Sequence, residues 1–255
     1  YILFTVFVSG MTTLAAELAA GRLIGNVFGT SNIVWASIIG LILIYLTFGY
    51  FLGGKWADAN PTPVAMYRVL AWGAFTLGLV PYAAGPVLRS AANAFDALNI
   101  GILGASFIAV LVLFIVPITL LGTISPFAIR LCLDDARQAG NVSGKIYGIS
   151  TIGSFLGTFL PTLVLIPTIG TTNTFMVISL LLLITAIAGL VISSGWKTAL
   201  PYLGMLGLLI LLAMSFAVFI SGRLTSPLSM LSSGLASVKL GRKSEHLKYR
   251  GNDEI

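Results

Sequence analysis

Charged side chains in this 255-residue chain stand far apart. Between them lie uncharged stretches of 32 residues (23–54), 20 (69–88), 33 (97–129), 51 (146–196) and 25 (198–222). A helix needs about 20 apolar residues to cross the roughly 30 Å hydrocarbon layer of a bilayer, so each stretch has room for one crossing and the longest for two. Charged residues make up 9% of the chain, against about 25% in an ordinary soluble domain, and mean hydropathy is +1.02. A water-soluble globule is excluded. Within lipid every backbone amide must be satisfied inside its own segment, and apolar runs without strict alternation make helices rather than barrel strands.

The expected fold class is therefore all-α: a polytopic transmembrane helix bundle of about seven spans with a short C-terminal amphipathic helix. Spans are expected at residues 2–20, 33–52, 66–88, 101–121, 143–166, 174–194 and 198–220. Turn-rich polar punctuation separates them at residues 29–32, 60–63, 134–141 and 167–173. The first run has no basic segment before it and no small-residue cleavage site followed by a polar domain, so it is expected to be a retained span rather than a signal peptide. The chain begins at Tyr1 within an apolar run and stops at Ile255 within a helix start, and both ends read as cut.

The residue inventory removes several chemistries. One cysteine, Cys132, excludes an internal disulfide, and with one histidine, His246, no His/Cys zinc cluster can be assembled. No metal and no other cofactor is expected. The net charge of +6 is not a general basic surface, and no nucleic-acid partner is expected from it. Residues 1–220 hold 8 basic and 5 acidic side chains, and residues 221–255 hold 6 and 3.

Basic residues also set orientation. Lys55 and Arg68 flank the loop after the second span, Arg130, Arg137 and Lys145 the loop after the fourth, and Lys197 the loop after the sixth; the odd loops hold only Arg22 and Arg89. By the positive-inside rule the even loops are cytoplasmic. Seven spans then place the tail outside, whereas its six basic residues argue for inside. Either one span is miscounted, or residues from about 196 onward belong to a different protein joined there.

Three groups of residues are candidates for function. Glu17 is the acid placed well inside a span, where an unpaired ion is costly. Its partner would be a cation from another helix, or Arg22 if the helix breaks at Gly21; across five residues the two stand about 140° apart on an ideal helix. Glu17 then reads as a solvated interfacial acid, half of a structural ion pair, or a proton- or substrate-coupling carboxylate. Next, residues 49–58 close the second span with Gly49 and Gly53, then Lys55 and Asp58 three apart, able to share one helix face as a pair. Last, glycines recur at four-residue spacing, as in Gly144 and Gly148, then Gly153 and Gly157. Such spacing lets helices approach closely in a membrane, either as ordinary packing or as the rocking surface of a transporter. Gly29-Thr30-Ser31-Asn32 also echoes Gly170-Thr171-Thr172-Asn173, through chance or through a duplicated unit.

The segment from Gly49 to Asp58 resembles the loop after the second helix of major facilitator transporters, in which a GxxxD(R/K) pattern forms a conformational latch; Gly53 stands where that family has its aspartate. Taken with Glu17-Leu18 to Arg22-Leu23, Phe28 to Ser31, Trp35, Ile38-Ile39-Gly40, Pro117, Gly122, Ser125-Pro126, Ile129-Arg130 and Gly144 through Thr158, residues 1–195 resemble the membrane domain of fused major-facilitator/spermidine synthase-like bacterial proteins. That resemblance implies a multi-pass protein of the bacterial inner membrane, transporter-like, handling a polyamine or another small cationic solute. Its usual soluble aminopropyltransferase domain has no counterpart here, since no GxGxxG-like turn leads into a helix. The chain is not expected to be a synthase by itself.

In the tail, Leu224, Leu228, Leu231, Leu235 and Val238 step by 4, 3, 4, 3, a coiled-coil seam. With Pro227-Leu228 before Gly241 and Asn252 to Ile255 after it, residues 221–255 resemble the first helix and connector of a HAMP module from a sensor histidine kinase. That implies a homodimer through the C-terminal helix and a signal-relay function; the alternative is a basic amphipathic tail lying on anionic lipid. A third reading of the whole chain is a membrane anchor for a cytoplasmic enzyme.

Overall fold

The computed structural model describes residues 1–98 and 101–216, with side chains for all of these except 94–98, 101 and 102. Every regular element among them is helical: α1 (Ile2–Phe28), α2 (Asn32–Ala59), α3 (Pro63–Leu98), α4 (Gly101–Gly122), α5 (Ile124–Cys132), α6 (Ala139–Leu160), α7 (Ile166–Ser194) and α8 (Trp196–Phe216). Among the described residues six runs of helix are long and apolar enough to cross a membrane, the make-up of a multi-pass membrane protein. The longest, Ala136–Ser194, has 59 residues, about 88 Å as one straight helix and nearly three hydrocarbon layers. It is not straight. Gly170 interrupts α7 with φ 79° and ψ 167°, so two arms of crossing length meet there.

The helix ends follow local chemistry. α1 stops at Gly29, whose φ of 80° is a backbone state that a side chain disfavours. Ser31 then caps α2, its hydroxyl accepting from the Val34 amide at 3.4 Å. At the next turn the Thr62 hydroxyl accepts from the Ala65 amide at 3.3 Å as α3 begins. Asp135 accepts from the Arg137 amide at 3.0 Å and opens a short 3-10 turn, Ala136–Gln138, before α6.

Two expected loops prove shorter than their polarity suggested. Residues 138–141 already lie in the 3-10 turn and the start of α6, and helix continues through Pro167 to Ile169 before Gly170 breaks it. Polar residues there keep helical angles, and only the glycine supplies the turn. Gly29 and Gly170, the first residues of the echoed tetrapeptides, adopt the same conformation.

α6 gives way to one π-helical turn, Pro161–Leu165. Pro161 has no amide hydrogen and crowds the carbonyl four residues back; widening to the i→i+5 pattern, with the Ile166 amide donating to the Pro161 carbonyl, accommodates it.

Residues Tyr1–Ile210 form one compact unit and Leu211–Ile255 a second, of which only the end of α8 is described. The coiled-coil seam at 224–238, and with it the expected homodimer contact, lies outside the described residues. Within the first unit α1 is central, packing against α6 and α7 and, less extensively, α2, α4 and α5; α4 packs on α2 and α3, and α3 on α7. Small residues Ala15, Ala16, Ala19 and Ala20 are fully buried along α1, and Phe114, Phe127 and Phe175 fill the core. Large apolar side chains such as Leu43, Phe51, Ile152, Phe155 and Leu163 face outward, as a surface bathed in lipid allows and one bathed in water does not.

Candidate functional site

The site grows from the crossing of α1 and α6. A Cβ added to Gly153 would overlap the Phe7 carbonyl oxygen, and one on Gly157 the Met11 carbonyl oxygen; Gly10 of α1 in turn lies against Ser150 of α6. The same offset of 146 residues at both contacts makes the two helices parallel. Gly144 and Gly148, expected to extend this seam, have nothing within 4 Å: they precede the crossing and sit on an exposed part of α6.

Beside the seam lies a cavity of about 80 Å3 walled by Ser9, Gly10, Thr13 and Leu14 of α1, Leu46 and Tyr50 of α2, Leu121 and Gly122 of α4, Ser125 of α5, and Ser150 and Ser154 of α6. At roughly 15 Å3 per water this holds a handful of waters. The Thr13 hydroxyl donates to the Ser9 carbonyl at 2.9 Å and the Ser154 hydroxyl to the Gly10 carbonyl at 3.2 Å. Above Ser154, Thr158 donates to the Ser154 carbonyl at 3.0 Å and Thr162 to the Thr158 carbonyl at 2.9 Å. Each of these hydroxyls has spent its one proton on a backbone carbonyl. What each of these four has left to offer is oxygen lone pairs, so at these positions a donor or cation is favoured over an anion.

Glu17 is residue sixteen of the 27 in α1, near mid-span. It is half-buried and has no ion pair or side-chain hydrogen bond among the described residues. Seven residues past Gly10, it stands about 20° from it around the helix and roughly 10 Å along it, on the cavity side of the seam. The α1–α6 offset sets the π-helical turn beside residues 15–19 of α1, and the two are in contact. Arg22 does not reach Glu17: α1 runs unbroken through Gly21 and Arg22 faces outward, exposed. Gly21 instead receives Trp35, whose Cη2 would stand 2.5 Å from an added Cβ.

At the end of α2, Gly49 and Gly53 lie against the α4–α5 junction. An added Cβ would come within 2.8 Å of the Gly122 Cα at the first and 2.6 Å of the Thr123 Cα at the second. Asp58 does not pair with Lys55 along its own helix. It reaches across to Arg130 of α5, with Oδ1 3.2 Å from Nε, leaving Lys55 exposed. The spacing along α2 permits a Lys55–Asp58 pair, but the close approach of the α4–α5 junction at the two glycines brings Arg130 to Asp58 instead.

The hydroxyls are what the charge-based reading overlooked. Their signal was present in the repeat of Ser150, Ser154, Thr158 and Thr162 every four residues. No family model, curated protein or solved structure matches the chain.

Proposed function

We propose that this bundle is the transporter-like membrane domain of a protein of the major-facilitator/spermidine synthase-like kind, and that it handles a small cation. The observation that carries this reading is the position of Glu17: a carboxylate at mid-span, without a counter-ion among the described residues, on the same side of the α1–α6 seam as hydroxyls whose protons are already committed. A buried charge in a membrane is expensive and persists where it meets an ion or solute. Lone pairs from Thr13, Ser154, Thr158 and Thr162 supply the weak, multiple contacts that let a cation shed part of its water, and Glu17 supplies the charge. The family resemblance points to an amine or polyamine among such cations. The site takes no part in covalent chemistry in this reading; Glu17 binds and releases.

The test is uptake into proteoliposomes containing the purified protein, with labelled spermidine, putrescine, methylammonium, sodium and potassium supplied one at a time. At least one cation is expected to accumulate above protein-free vesicles. Glu17→Gln, which keeps shape and removes charge, is expected to reduce that uptake at least tenfold while the protein elutes as the unaltered one does. Equal uptake by the two proteins would remove Glu17 from the mechanism.

A further inference from the structure

Glu17 has different surroundings toward the two ends of α1. Along one stripe of that helix stand Gly10, Leu14, Glu17 and Gly21, at steps of 4, 3 and 4 residues that keep them on one side. Toward Gly10 the stripe meets the hydroxyl-lined cavity. Toward Gly21 it meets the Trp35 indole, seated on the glycine where any side chain would collide with the ring. Polar groups thus adjoin Glu17 on one side and a large, half-buried aromatic ring on the other.

The cavity lies toward the Asp58–Arg130 end. Tyr50 in its wall precedes Asp58 by eight residues of α2, and Ser125 precedes Arg130 by five residues of α5. From the cavity inward, Ser154 and Thr158 of α6 and Thr162 of the π-helical turn follow one another at intervals of about 6 Å, each half-buried. At this spacing two hydrogen-bonded waters span the interval between successive hydroxyls.

We infer that in this conformation Glu17 is reached by water and small cations from the Asp58–Arg130 end only, through the cavity and along the Ser154–Thr158–Thr162 ladder, and that Trp35 is the plug closing the opposite end. The inference deepens the reading of Glu17 as a coupling carboxylate and rests on it for the identity of what travels; access itself is measurable without transport. Trp35 and the hydroxyls of Ser154, Thr158 and Thr162 thereby become access-determining residues.

The test uses the full chain with Cys132→Ser, Glu17→Cys as the probe, and a membrane-impermeant sulfonated thiosulfonate added to vesicles of either orientation. Thr30→Cys, in the α1–α2 turn, marks the opposite face. Glu17→Cys is expected to react from the face opposite to that marker, at least tenfold faster than from the marker's own face. Adding Ser125→Leu to fill the cavity is expected to slow that reaction at least fivefold. Adding Trp35→Ala is expected to open reaction from the marker's face. Reaction at position 17 from the marker's face alone, equally from both, or from neither would overturn the inference, and so would indifference to Trp35→Ala. Should Ser125→Leu fail to fold, the sidedness of the single probe and the Trp35→Ala arm still decide. Uptake lost on Glu17→Gln with the wrong sidedness here rejects the path and leaves the function standing; correct sidedness without uptake does the reverse.

Discussion

Gly157 and Gly148 lie on one helix nine residues apart and, in this structure, differ in a single respect. At Gly157 an alanine Cβ would fall 2.8 Å from the Met11 carbonyl carbon and 2.9 Å from its Cα, and closer to its oxygen; at Gly148 it would meet nothing within 4 Å. The obstruction at Gly157 is backbone, which cannot rotate aside. Restoring contact distance requires α1 and α6 to part by about 0.5–1 Å, a gap that forfeits a quarter to a half of each dispersion contact along the seam. Overpacking of this kind costs about 1–3 kcal/mol. Alanine also gains roughly 0.5–1 kcal/mol over glycine in a helix interior, and that gain is common to both sites. The difference between Gly157→Ala and Gly148→Ala therefore isolates the steric cost, about 1–3 kcal/mol, or roughly 5- to 150-fold in the folding equilibrium. Reversible unfolding in mixed micelles, followed by tryptophan fluorescence, measures it. The expected order has Gly157→Ala least stable and Gly148→Ala at or slightly above the unaltered protein. If Gly157→Ala were as stable as Gly148→Ala, the parallel α1–α6 contact would be wrong, and with it the placement of Glu17 beside the π-helical turn.

Two further outcomes follow from the same geometry. Asp58 and Arg130 are 76% and 44% exposed in their side chains, so their coupling in a double-mutant cycle with Asp58→Asn and Arg130→Gln is expected to be about 0–1 kcal/mol; a coupling above about 2 kcal/mol would mean that the pair is far more shielded than its exposure states. Single cysteines replacing Thr30 and Asp134 in a Cys132→Ser background are separated by α2, α3 and the α4–α5 run, and are expected to be labelled from opposite faces of the membrane; labelling from one face would remove a crossing.

Much of the fold was legible in the order of residues. Uncharged stretches too long for loops determine helical crossings, because a chain in lipid can satisfy its amides only within itself. Gly29 and the capping Ser31 mark a helix end and start without help from the rest of the molecule, because those preferences act within a few residues. The site was legible only in part. Glu17 stands out by its charge, yet its lack of a partner depends on α1 staying helical through Gly21, and the hydroxyls near it come from a helix more than 130 residues later in the chain. Which acid Asp58 resembles from its own helix, a partner for Lys55, is overruled by an arginine 72 residues away. Glycine spacing alone could not separate Gly153 and Gly157, pressed on α1, from Gly144 and Gly148, which meet nothing. Sequence by itself determined that this chain forms apolar helices, and about where each crossing falls, since both depend on period and length; α1 and α3 run on to Phe28 and Leu98, past the expected ends at 20 and 88. Tertiary structure alone decided which helix lies against which and in what register, because between apolar helices in lipid that choice rests on how closely particular backbones fit.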